Sequence, residues 1–105
     1  MPIVASQVNA LEPTRVATGK HTDDAVSPAA ITVDVGFNPR YVQCINLTTR
    51  VTHEWFKGMT SGHALMTVAA GTRTAETSGG ISVDGDVITM PAPAQNDVVY
   101  WTVRS

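Results

Sequence analysis

His53 and Glu54 stand side by side in "VTHEWFK", the place in this chain where an acid and a base come closest in sequence. A histidine and a carboxylate at one site can pass a proton. The surrounding residues read as a strand, however, and neighbours on a strand point to opposite faces, so the two side chains do not share a site within it. Cys44 is the only thiol. A nucleophilic cysteine needs an exposed thiolate and an activating base. Cys44 instead shares its face with Val42 in mid-strand, where a buried, inert thiol is expected. His53 and His63 form a metal pair only if the fold brings them together, and no carboxylate stands at ligand spacing. Asp84-Gly85-Asp86 carries oxygen ligands of the calcium type, but a calcium loop needs six or more oxygens, and a hairpin turn accounts for these residues. The triplet Asn46-Leu47-Thr48 matches a glycosylation sequon across a strand end. No phosphate-binding glycine loop, nucleophile elbow or paired-histidine metal motif is present in the sequence. The expectation is no enzyme, no catalytic residue, no metal and no cofactor.

The elements that carry these residues are β-strands. "ITVDV" alternates, with Ile31, Val33 and Val35 on one face and Thr32 and Asp34 on the other. "GFNP" breaks it with turn formers. "YVQCINL" follows, with Tyr41, Gln43, Ile45 and Leu47 opposite Val42, Cys44 and Asn46. Apolar groups on both faces predict a central strand covered on both sides. "TTR" links it to "VTHEWFK", with Val51, His53, Trp55 and Lys57 opposite Thr52, Glu54 and Phe56, and the two most simply form an antiparallel hairpin. "HALMTVAA" reads as a short strand, and "GTRTAETSGG" as a polar loop with room for another. "ISVDGDVITM" is the clearest hairpin, with Asp84-Gly85 as its type I′ signal. "PAPAQND" holds two prolines and is no central strand. "VVYWTVR" closes the chain, Val99, Trp101 and Val103 facing one way and Val98, Tyr100 and Thr102 the other.

Residues 1–30 differ. They show no sustained period of 2 or 3.6 and read as an extended N-terminal arm, with room for an edge strand near Ile3 to Val8. Residues 31–105 read as an all-β domain, a small antiparallel β-sandwich or barrel of about 7–8 short strands.

Composition bounds the function. The 105 residues make one domain, which buries a modest share of its surface. Charged residues are 15%, low against ~25% for an average soluble protein. Val and Thr occur 14 times each, and both favour half-buried pleated positions. Such a chain suits a surface partly covered by neighbours. The net charge of −2 shows no basic footprint for nucleic acid. No apolar run approaches the ~20 residues of a membrane span. A single cysteine excludes an intrachain disulfide. The opening "MPIVASQVNA" does not read as a secretory signal, so synthesis in a cytoplasm is expected.

"ITVDVGFNPRYVQCINLTTRVTHEWFKGM", then "AAGTRTAETSGGISVDGDVITMP" and the closing "DVVYWTVRS", resemble small virion proteins of tailed bacteriophages over residues 31–105. The shared pattern is a strand, a Gly-Phe-x-Pro turn, a strand ending in Asn-Leu-Thr, a strand with an aromatic pair, a Gly-Thr-Arg-Thr loop, a hairpin and a final aromatic strand. The resemblance implies a head decoration (cement) protein or a head or tail fibre component. Its expected partners are the major capsid protein or other virion proteins, with homo-oligomerisation, and its expected location is the virion. The arm and the charge-poor surface lean toward decoration, an arm strand adding to a neighbour's sheet edge and many copies acting together. The alternative is a carbohydrate- or receptor-binding module. Most large aromatics, Trp55 included, are expected to face the core. The candidate partner contacts are Ile3, Val4 and Val8 on the arm and Trp55 and Trp101 on the domain.

Overall fold

The computed structural model describes residues 15–105. The expected edge strand near Ile3 to Val8, and with it Ile3, Val4 and Val8, lies outside the described residues. The described residues form an all-β sandwich without helices: β1 (Val16–Thr22), β2 (Ile31–Asp34), β3 (Tyr41–Asn46), β4 (Val51–Phe56), β5 (Ala64–Thr67), β6 (Arg73–Glu76), β7 (Ser82–Asp84), β8 (Val87–Met90) and β9 (Val98–Arg104). Every pairing between strands is antiparallel, in one six-stranded sheet of order β1-β9-β3-β4-β5-β6 and one three-stranded sheet of order β2-β8-β7.

The alternation seen in sequence sets the core. Val42, Trp55 and Val103 lie in one cross-strand row of the large sheet, and Cys44, His53 and Trp101 in the next. The small sheet answers with Ile31, Ile88 and Met90, which join Val42, Cys44, Trp55, Val99 and Val103 in one buried cluster. Burying side chains of this size contributes roughly 1.5–3 kcal/mol each. The chain crosses between sheets at Gly36-Phe37-Asn38-Pro39. The Asp34 carboxylate accepts the Gly36 N–H at 3.0 Å, Gly36 takes a φ of +78°, and Phe37 and Pro39 are buried behind it.

The structure corrects four expectations. β1 falls inside the stretch read as arm: residues 16–22 pair with β9 along their whole length. Their inward residues are Ala17, Gly19 and His21, which carry no apolar alternation. Gly19 is required there, because a Cβ would stand 2.3 Å from the Trp101 indole. β3 is central within its sheet, but among the described residues a second sheet covers one of its faces only; Tyr41, Gln43 and Ile45 lie on the side away from the small sheet. Leu47 leaves the strand and is exposed in a four-residue loop, where the Asn46 side chain accepts the N–H groups of Thr48 and Thr49 and Arg50 takes a φ of +60°. The hairpin turn is Gly85-Asp86, flanked by the pair Asp84 and Val87, one residue later than Asp84-Gly85. Positive φ falls on Gly85 and not on Asp86, the requirement of a type II′ turn. This register sets Val83 opposite Ile88 on the core side, whereas a one-residue slip would turn the apolar set outward.

Candidate functional site

Two places gather chemistry, one on each side of the large sheet. On the inner side, a cavity of about 280 Å³ opens between β3, β4 and the 91–97 loop, lined by Cys44, Val51 and His53 from the strands and by Pro91, Pro93 and Asp97 from the loop. The loop is tied down by Asp97, a buried carboxylate that accepts the Asn46 side-chain amide at 2.8 Å and the Ala94 N–H at 3.0 Å. Cys44 and His53 are directly opposite across the β3–β4 pair. Burial pushes the Cys44 thiol up to about 11, so it stays protonated at neutral pH and offers no thiolate. Burial lowers the His53 pKa, opposed by Glu76, whose carboxylate oxygen is 3.8 Å from His53 Nε2. His53 and Glu54 point to opposite faces, as strand parity requires. Among the described residues no group of three or more His, Cys, Asp or Glu side chains could hold a metal ion. The cavity offers apolar wall, a protonated thiol, an imidazole whose pKa burial lowers, and the Asp97 carboxylate already engaged by Asn46 and Ala94.

The outer side of the large sheet is different in kind. Register places its residues in rows across the strands. Val16, Arg104, Tyr41 and Phe56 form the first row. Thr18, Thr102, Gln43, Glu54, Leu65 and Ala75 form the second. Lys20, Tyr100, Ile45, Thr52, Thr67 and Arg73 form the third. Six strands at ~4.8 Å spacing make this face about 24 Å wide. Phe56 is 45% exposed and Tyr100 44%. Tyr41 and Phe56 meet at 5.2 Å between ring centroids, tilted by 55°. Lys20 Nζ lies 5.9 Å from the Tyr100 ring centre and the Arg104 guanidinium 5.9 Å from that of Tyr41. Each cation is thus held over an aromatic face, where ring and charge attract. Tyr41 donates to Glu54 at 2.7 Å. Burial, that hydrogen bond and the Glu54 charge push its phenol up to about 12, with Arg104 pulling the other way.

Trp55 is 6% exposed and belongs to the core. Trp101 is half-buried against the core, its indole lying over Gly19. A partner meeting the outer face therefore touches neither tryptophan. Tyr41, Phe56 and Tyr100 take that place, with Lys20 and Arg104. Their signal was the complementary parity: each sits on the face opposite the inward residues of its own strand. Comparison with known protein families, curated proteins and solved structures found no match to the chain.

Proposed function

We propose that this chain is a structural virion protein of a tailed bacteriophage, a capsid decoration protein that binds and stabilises the major capsid protein shell. One observation carries the binding role: a six-stranded sheet face on which Tyr41, Phe56 and Tyr100 stand exposed or half-exposed beside Lys20 and Arg104. Aromatic residues and arginine are enriched at protein interfaces, and a strand face already ordered by its hydrogen bonds loses little freedom on docking. The phage setting rests on the resemblance of residues 31–105, and the low charge and high Val and Thr content support a surface covered by neighbours. Quantitative mass spectrometry of purified particles tests it. The decoration role requires the protein to be present at a copy number comparable with the shell subunits. Absence from the particles, or presence in only a few copies, overturns it.

A second reading is supported by the same aromatics. Tyr41 and Phe56 beside Gln43 and Glu54 form a surface on which a sugar ring can stack and hydrogen-bond, as a fibre or tail component would need. Glycan binding that is lost in Phe56→Ala or Tyr100→Ala supports that reading. No binding across a glycan array removes it.

A further inference from the structure

We infer that the outer face of the large sheet docks onto the small sheet of a second copy of this chain, in a head-to-tail contact; this rests on reading that face as a protein-binding surface and makes the neighbouring copy in the decorating layer, rather than the shell subunit, the partner that covers it. The observation is a separation of charge between the two sides of the sandwich. On the large sheet's outer face the strand positions carry Lys20, Arg73 and Arg104 against Glu54 alone. On the small sheet's outer face, Asp34 and Asp84 flank Val87 in one cross-strand row, and Asp86 stands at the adjoining hairpin tip. All three aspartates are exposed, and those strands carry no lysine or arginine. Among the described strands the sandwich is therefore basic and aromatic on one side and acidic on the other.

The dimensions match. Asp34 and Asp84 are two strand spacings apart, ~10 Å. Lys20 and Arg104 are one strand and four residues apart, ~14 Å at the backbone, and their long side chains can close the difference. Val87 between the acids and, in the next outward row, Ser82 with the Thr32–Thr89 hydroxyl pair at 3.3 Å make a surface of small and medium side chains, suited to the rings of Tyr100 and Tyr41. The two surfaces differ, so the contact is heterologous and builds rings or rows rather than a closed two-fold dimer. Opposite charges across it fix orientation and register.

Sedimentation velocity of the full chain over a concentration series tests this. The wild type is expected to associate as concentration rises, and less so at high ionic strength, which screens exposed charges. K20E/R104E and D84K/D86K, each with an unchanged circular dichroism spectrum, are each expected to weaken association by about tenfold or more. The variant carrying all four changes, its charges exchanged between the faces, regains association. A wild type that stays monomeric at low salt overturns the inference, and so does association that ignores these charges. Retention on particles in the same variants separates the two claims. A monomeric chain that still decorates particles leaves the proposed function standing and removes only the self-contact.

Discussion

Cys44 and His53 face each other across two strands and line a cavity, yet their surroundings work against reactivity. The thiol is buried among apolar neighbours, and with a pKa near 11 it is expected to resist iodoacetamide in the folded protein at mildly alkaline pH. Full alkylation should appear only in denaturant, and rapid labelling of the native chain would contradict the packing described. His53 makes a pH prediction. Its folded pKa lies below the ordinary 6.5, so the unfolded chain takes up the proton first as pH falls. More protons bound in the unfolded state mean that stability rises with pH. The His53 contribution is therefore fully present above about pH 6.5 and is lost as pH falls through that value toward the folded pKa. Urea midpoints should decline on acidification through this window, with a shallower decline in His53→Gln. An identical slope in the variant would rule His53 out as the cause.

At the scale of elements, β1 is the strand that sequence patterning could not show. Its inward residues are small or polar, and its place is set by β9, whose Trp101 indole covers Gly19. Gly19→Val is expected to displace that indole and to cost about 1–3 kcal/mol, the usual penalty of overpacking. Chemical denaturation followed by tryptophan fluorescence would show both effects, and a neutral result would contradict the close approach. β2, β3, β4 and β9 were legible, because Val, Ile and aromatic residues alternate with polar ones along them and hydrophobic burial acts on that alternation. The turn between β7 and β8 was legible to within one residue. Aspartate-glycine marks a turn, but the pairing of Val83 with Ile88 decides which residues occupy it. β6 (Arg73–Glu76) shows little apolar signal because it is a largely exposed edge strand.

For the whole molecule, the decisive asymmetry is that three strands cover one side of a six-stranded sheet while, among the described residues, no strand covers the other. The parity of Tyr41, Phe56 and Tyr100 is visible in the sequence. Their exposure is not, because it depends on which face the second sheet takes. The tryptophans drew attention as candidate contacts by size, and the same size makes them valuable in a small core. What remains outward is a sheet face of tyrosine, phenylalanine and paired cations, with acidic residues on the far side. The most direct test of a partner-covered outer face is hydroxyl-radical footprinting of the chain in purified particles against the free chain at high ionic strength. Tyr41, Phe56 and Tyr100 are expected to lose reactivity in the particle while the exposed Val26 serves as reference. If all three remain as reactive in the particle as in the free chain, the outer face is not the binding surface.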